Sequence, residues 1–119
     1  MFSFLKPKVS GMNPRKISDD FAVTGQITPE QIKTVSGAGY KSILCARPDN
    51  EEPGQPSFEE VARAAEAEGI QIVHIPVSGM LGEGQIIRFH RAWETMPKPM
   101  LGYCRSGARA GSLHATLSR

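Results

Sequence analysis

Apolar positions along this chain follow two patterns that alternate with each other. One is a short apolar run bounded by Gly, Pro or charged residues, which is typical of a buried strand. The other is an apolar stripe that recurs at helical spacing, as at Phe58, Val61, Ala62 and Ala65. The predicted strands cover residues 15–18, 21–26, 41–46, 70–76 and 100–103.

Helix signals separate these predicted strands. Thr28 followed by Pro29 is a typical helix start, and residues 57–60 form a capping box in which Ser precedes Glu by three positions. Glycine commonly ends a helix, and proline prevents its continuation. Three predicted helices run from Thr28 to Gly37 or Gly39, from Ser57 to Gly69, and from about Gln85 to Met96. A last helix is predicted after the glycine-containing loop that follows Cys104.

Strands that are separated by single helices imply parallel β-α-β units. The sequence therefore predicts an α/β fold with three layers, in which helices flank a mostly parallel central sheet. In such sheets, ligands bind outside the carboxyl ends of the strands. Three loops, at residues 47–56, 77–84 and 104–107, are expected to meet at that edge.

A single domain is predicted over residues 15–119, because 119 residues suffice for one core but not for two. Residues 1–14 contain two prolines and no apolar periodicity, so they are predicted to form a poorly ordered leader.

Charge and composition narrow the possible partners. The formal net charge is only +2, which argues against nucleic acid as a partner. Residues 95–119 nevertheless contain four basic residues and no acidic one, so this part of the chain should attract small anions.

Two cysteines are too few for a disulfide framework. No apolar run approaches about 18 residues, and no signal peptide is recognisable, so we expect a cytoplasmic protein without membrane contacts.

The segment Cys104-Arg105-Ser106-Gly107-Ala108-Arg109 carries the clearest chemistry. It follows a predicted strand and precedes a helix, so Cys104 should face free N–H groups at the positive end of the helix dipole. Helix N-termini and neighbouring cations favour the thiolate form of a cysteine. We therefore predict that Cys104 is a nucleophile and that residues 105–109 bind an anion. The alternative is a buried strand cysteine followed by an ordinary basic turn.

Other candidate residues lie at the same predicted edge of the sheet. Cys45 ends a strand and is either a core residue or a thiol that resolves an oxidised Cys104. Arg47 and Asp49 begin a long loop. They form a structural ion pair, an ordinary surface turn or part of the site, in which case Arg47 binds the anion and Asp49 acts in catalysis. No histidine pair has metal-ligand spacing, so neither a metal nor another cofactor is expected.

Several separated blocks of the sequence resemble one family, the phosphatase-like domain of bacterial beta-lactamase hydrolase-like proteins. The resemblance covers about residues 15–117 and includes residues 18–30, 47–58, 76–77 and 103–107. It implies a fold like that of the dual-specificity phosphatases, with Cys104 as the nucleophile between the last strand and the last helix. Members of this family are named either as phosphatases or as sulfur transferases. The resemblance also implies a metallo-hydrolase of sulfur metabolism as a partner.

The spacing within the loop bears on this choice. Cysteine phosphatases have five residues between Cys and Arg, whereas Cys104 and Arg109 are separated by four, as in the active loops of single-domain rhodaneses. Tyr103 stands where the phosphatase signature commonly has His, and only Glu83 or Asp49 could protonate a leaving group.

These departures favour sulfur transfer through a persulfide on Cys104, from a small anionic sulfur donor to a thiol acceptor. Sulfur transfer needs no general acid, because the leaving group is already a stable anion. The alternatives are hydrolysis of a phosphate ester through phosphocysteine, and an anion-binding module without catalysis.

Overall fold

The strands predicted from the apolar runs form one five-stranded sheet in the computed structural model, which describes residues 12–118. The order of the strands in the sheet is β1-β2-β5-β3-β4. The strands are β1 (Arg15–Ser18), β2 (Phe21–Thr24), β3 (Ser42–Cys45), β4 (Gln71–His74) and β5 (Met100–Tyr103). The helices are α1 (Ile32–Gly37), α2 (Phe58–Ala67), α3 (Glu83–Thr95) and α4 (Ala108–Ala115).

All neighbouring strands are parallel except β1 and β2, which pair antiparallel. Each face of the sheet carries its own apolar core. On one face, α1 and α2 pack through Ile32 and Val61 against Ile43 and Tyr103. On the other face, α3 and α4 supply buried residues such as Phe89 and Leu113. This arrangement confirms the predicted α/β fold with helices on both sides of a mostly parallel sheet.

Most elements lie within a few residues of their predicted bounds. The first helix begins as a 3-10 turn at Pro29–Gln31 before α1, in which the amide of Gln31 donates to the carbonyl of Thr28 at 3.0 Å. Residues 1–11 of the predicted leader lie outside the described residues. Met12, which the prediction included in that leader, packs into the core beside α1 and α2. No helix within residues 12–118 combines the length and the apolar character that a membrane span requires.

The register of the central strands brings three loops together. Tyr103, the last residue of β5, lies opposite Thr24 at the end of β2 and opposite Cys45 at the end of β3. The amide of Ala46 extends this ladder by donating to the carbonyl of Tyr103 at 2.8 Å. The segments that follow β2, β3 and β5 therefore leave the sheet side by side, at the edge where the sequence places its candidate residues.

Candidate active site

Cys104 lies immediately after β5 and is fully buried on the face of the sheet that packs against α3 and α4. Its Sγ accepts a hydrogen bond from the backbone N–H of Gly107 at 3.0 Å. Gly107 is also the N-cap residue of α4, so the sulfur faces the start of that helix. A helix N-terminus favours negative charge, so an anion bound beside this sulfur would be stabilised there.

Gly107 has the backbone conformation that this contact requires. Its φ is +96°, in the left-handed region that residues with a side chain rarely adopt. A Cβ at this position would also lie 3.3 Å from Cγ2 of Val23 on β2. The turn between Cys104 and α4 therefore requires glycine at position 107.

We expect Gly107→Ala to lower the free energy of unfolding by about 1–2 kcal/mol, because it forces a side chain into a left-handed, crowded position. Gly111→Ala is the matched control, since Gly111 lies inside α4 with open space around its Cα. That variant should raise the free energy of unfolding by roughly 0.5–1 kcal/mol. Urea denaturation of both variants measures the difference, and equal stabilities would contradict this account of the turn.

The segment between Cys104 and Gly107 contains backbone N–H groups that donate to no acceptor within residues 12–118 of the protein. Within the described part of the chain, the N–H groups of Arg105 and Ser106 have no hydrogen-bond partner, and both residues are exposed. The amide of Ala108 donates to Oγ of Ser106 at 3.3 Å. Free amides next to a helix N-terminus are the usual components of an anion-binding loop. Anion binding by residues 105–109 stays a prediction that this geometry supports.

Arg109 lies in the first turn of α4, and Glu51 holds its guanidinium. Nη1 donates to Oε2 of Glu51 at 2.7 Å and to the carbonyl of Val77 at 2.9 Å, while Nη2 donates to Oε1 of Glu51 at 2.9 Å. These bonds use three of the five N–H donors of an arginine. The Nε–H and one Nη2–H have no oxygen acceptor among the described residues, and the Arg109 side chain also interacts with Cys104. Two such donors on one edge of a guanidinium can bind two oxygens of a tetrahedral anion.

Arg47 is buried, and three side chains accept hydrogen bonds from its guanidinium. It is only 1% exposed, and its guanidinium donates to Glu51, Glu52 and Gln26 at 2.8–2.9 Å. The structure thus places Arg47 inside the protein, where it organises the loop after β3. Direct binding of an anion by Arg47 stays a prediction, and no contact in the structure supports it.

Glu51 links these two arginines and is the site residue that the sequence analysis missed. Hydrogen bonds from Arg109, and then from Arg47, hold the pKa of Glu51 down to about 2. A depressed pKa means that ionised Glu51 stabilises the fold above its ordinary pKa, and that this contribution is lost as the pH falls toward 2. The four-residue spacing from Arg47 was a visible signal for one ion pair. The pair with Arg109 joins positions 58 residues apart and had no local signal.

The two predicted general acids lie apart from this cluster. Oδ1 of Asp49 accepts a hydrogen bond from the backbone N–H of Phe58 at 2.8 Å, so this carboxylate anchors the start of α2. Glu83 is exposed in the first turn of α3. These observations do not test a catalytic role for either carboxylate, and the predicted role of Asp49 in catalysis stays a prediction.

Cys45 lies on the opposite face of the sheet from Cys104. It packs with Tyr103 against α1 and α2, and its thiol donates to the carbonyl of Arg47 at 3.5 Å. Burial raises the pKa of the Cys45 thiol, which disfavours the reactive thiolate. Alternation along a strand explains the separation, because Cys104 follows Tyr103 by one residue. A resolving role for Cys45 stays a prediction that this geometry does not support.

A cleft of about 440 Å³ adjoins Arg109. Its walls are mostly apolar and come from the loop after β4 and from α4. They are formed by Val77, Gly79, Met80, Leu81, Arg109, Ser112 and Ala115. Among residues 12–118, no group of three or more His, Cys, Asp or Glu side chains is arranged to hold a metal ion.

Comparison with known proteins assigns nearly the whole chain to one domain type. Residues 13–118 match the family model described as beta-lactamase hydrolase-like protein, phosphatase-like domain. A beta-lactamase hydrolase-like protein of Agrobacterium fabrum is 36% identical over 104 residues, which cover 87% of this chain and 24% of that protein. A protein of the same name from Xylella fastidiosa is 36% identical over 100 residues, covering 83% of this chain and 23% of its own length. The chain thus spans about a quarter of the curated relatives that it matches.

Solved structures share the fold. A phosphatase-like protein of Neisseria meningitidis superposes with a TM-score of 0.78 at 27% identity, covering 87% of this chain and 75% of that one. The core catalytic domain of the PP-IP phosphatase of S. cerevisiae has a TM-score of 0.66 at 19% identity, covering 88% of this chain and 64% of that one. At this lower identity the similarity concerns the fold alone.

Proposed function

The chain belongs to the family of phosphatase-like domains of beta-lactamase hydrolase-like proteins, and we propose that it is a cysteine-dependent phosphatase that hydrolyses phosphate monoesters. The observation that carries this proposal is the contact between Sγ of Cys104 and the N–H of Gly107 at the start of α4, next to Arg109. This contact supports the proposal because the thiol that would attack lies beside free backbone donors and beside an arginine in the first turn of α4.

Each group has a separate task in the proposed reaction. The Cys104 thiolate attacks phosphorus, a phosphorus–sulfur bond forms, and the bond to the ester oxygen breaks, leaving the electron pair on that oxygen. The free Nε–H and Nη2–H of Arg109 bind two phosphoryl oxygens, and the amides of Arg105 and Ser106 face the charge that develops. Water then attacks the phosphocysteine, which releases inorganic phosphate and restores the thiolate.

Sulfur transfer is the second candidate, and the short interval between Cys104 and Arg109 favours it. In that reaction the Cys104 thiolate attacks the outer sulfur of a donor such as thiosulfate, sulfite leaves with the electron pair, and a thiol acceptor takes the sulfur from the persulfide. The expected thiol acceptor and metallo-hydrolase partner belong to this candidate. The names of the relatives and structural neighbours support phosphate chemistry instead, so sulfur transfer rests on the loop spacing and on the departures from the phosphatase signature at Tyr103 and at the general acid.

A side-by-side assay distinguishes the two reactions. The purified chain is given an aryl phosphate, with phosphate release as the readout, and separately thiosulfate with cyanide, with thiocyanate as the readout. We expect phosphate release, and mass spectrometry of the quenched protein should find a phosphoryl group on Cys104. Thiocyanate without phosphate release, with one extra sulfur atom on Cys104, would replace the phosphatase proposal by sulfur transfer. Failure of both assays would leave an anion-binding module.

A further inference from the structure

Arg47 shares one carboxylate oxygen of Glu51 with Arg109. Nε of Arg47 donates to Oε1 of Glu51 at 2.8 Å, and Nη2 of Arg109 donates to the same oxygen at 2.9 Å. Oε2 of Glu51 accepts a further bond from Nη1 of Arg109 at 2.7 Å. Three charge-assisted bonds leave this carboxylate fewer orientations than the two bonds from Arg109 alone would. Arg47 therefore takes part in fixing the group that holds Arg109.

Arg47 is itself held at each of its three guanidinium nitrogens. Besides the bond from Nε to Glu51, Nη1 donates to Gln26 at 2.9 Å and Nη2 donates to Glu52 at 2.8 Å. Arg47 is the second residue after β3, and Gln26 is the second residue after β2. These two strands flank β5, the strand that leads into Cys104. The guanidinium thus connects the segments on both sides of the nucleophile, and its planar shape fixes the directions of its bonds.

The backbone of Glu51 is held as well. Its N–H donates to Oε1 of Gln55 at 3.0 Å, and Nε2 of Gln55 donates to the carbonyl of Pro48 at 2.9 Å. The side chain of Gln55 thereby closes the loop that follows Arg47. Glu51 is fixed at its backbone by Gln55 and at its carboxylate by Arg47. Arg109 is therefore bonded to a support that is itself held at two points.

Arg109 extends this series of contacts to the nucleophile. In addition to its bonds with Glu51, it donates to the carbonyl of Val77 at 2.9 Å, and its side chain interacts with Cys104. Contacts therefore run without a gap from Arg47 through Glu51 and Arg109 to Cys104.

The burial of Arg47 is not explained by stability alone. Taking a guanidinium and its carboxylate partners out of water is costly, and a well-packed apolar side chain of similar volume often serves stability equally well. An apolar residue at position 47 could not fix the orientation of Glu51. The feature that only an arginine supplies here is a planar group with three engaged nitrogens.

We propose that Arg47 is a positioning residue of the phosphatase reaction, which acts through Glu51 to orient Arg109. This inference rests on the proposed phosphatase function. Arg47 does not touch the phosphoryl group in this role, since each of its nitrogens is bonded to an oxygen of the protein. It holds the carboxylate against which Arg109 lies, so that the free N–H groups of Arg109 stay aligned with two phosphoryl oxygens during the attack by sulfur.

A double-mutant cycle on the full chain tests this role, with aryl phosphate hydrolysis as the readout. Arg47→Lys keeps the positive charge but offers one nitrogen in place of three, so it should lower kcat about tenfold while KM changes by less than about twofold. Because Arg47 acts through Glu51, the variant that combines Arg47→Lys with Glu51→Gln should be no slower than Glu51→Gln alone. A loss of about a hundredfold in the combined variant, the product of two independent effects, would overturn the proposal.

Glu52→Gln is the matched control. Glu52 accepts a bond from Arg47 at 2.8 Å, as Glu51 does, but within residues 12–118 it has no hydrogen bond to Arg109. A glutamine can still accept this single bond, so kcat should stay within about twofold of that of the unmodified chain. A loss in Glu52→Gln equal to that in Arg47→Lys would show that the rate depends on the charge around Arg47 and not on a fixed Glu51, and would overturn the proposal.

Gln26→Ala keeps the proposal testable if circular dichroism shows that Arg47→Lys does not fold. Gln26 binds Nη1 of Arg47 and, among the described residues, has no hydrogen bond to Glu51 or to Arg109. Its loss should lower kcat roughly threefold, with no further loss when Glu51→Gln is added. Unchanged kcat in Gln26→Ala would overturn the proposal. An unmodified chain that hydrolyses no aryl phosphate would instead refute the phosphatase function itself.

Discussion

Cys104→Ser should lower kcat for aryl phosphate hydrolysis by a factor on the order of 10⁴ or more, which is the scale for loss of an essential nucleophile. A serine hydroxyl is far less acidic than a thiol, and the hydrogen bond that Sγ of Cys104 accepts comes from a backbone N–H, which cannot act as a base to activate it. The N–H of Gly107 that now binds sulfur would meet a neutral oxygen instead. The measurement is phosphate release under saturating substrate.

The variant should still bind anions, because Arg109 and the free amides of Arg105 and Ser106 do not depend on the sulfur atom. Cys45→Ala is the control, since it removes the other thiol from the opposite face of the sheet. It should keep activity within a few-fold of the unmodified chain once its fold has been checked by circular dichroism. Activity that survives in Cys104→Ser and is lost in Cys45→Ala would reverse the assignment of the nucleophile.

Local sequence signals were sufficient to predict the helix starts, the strands and the position of Cys104, because these features depend on residues that are neighbours in the sequence. The capping box at residues 57–60 does start α2, with the amide of Glu60 bound to Oγ of Ser57 at 3.1 Å. The apolar run at residues 100–103 is β5 over the same residues. Cys104 could be identified because strand end, nucleophile, glycine turn and helix follow each other without interruption.

The remaining parts of the site depend on contacts between distant segments. The position of β5 between β2 and β3 decides which loops meet, and strand order in a sheet has no local signature. The local sequence leaves Arg47 open between a structural ion pair, a surface turn and the anion site, and three acceptors from two different segments hold its guanidinium inside the protein. A buried arginine with several partners costs less than an unpaired one, which explains why Glu51, Glu52 and Gln26 surround it.

The strand alternation of β5 also explains a residue that departs from the phosphatase signature. Tyr103 points to the face that packs against α1 and α2, whereas Cys104 points to the other face. The side chain before the nucleophile is therefore a core residue here. Burial raises the pKa of the Tyr103 hydroxyl, so this group stays neutral.

Arg109→Lys should lower kcat/KM for aryl phosphates by about 10²–10³-fold, because a lysine offers a single point charge where the guanidinium binds Glu51 with one edge and the phosphoryl group with the other. Arg63→Lys is the matched control, since Arg63 forms an exposed ion pair with Glu59 on α2 and should tolerate the change.

Glu51→Gln separates the positioning of Arg109 from its charge. A glutamine can accept a hydrogen bond from only one of the two terminal nitrogens of Arg109, so the guanidinium keeps its charge and loses its fixed orientation. We expect kcat to fall about tenfold or more while KM changes less, because misalignment affects the transition state more than binding. Glu51→Asp keeps the charge but is one methylene shorter, and it should recover part of the loss if Arg109 can follow the carboxylate. Steady-state kinetics of both variants and of the unmodified chain give kcat and KM. Equal kcat in Glu51→Gln and the unmodified chain would show that Arg109 needs no support from Glu51.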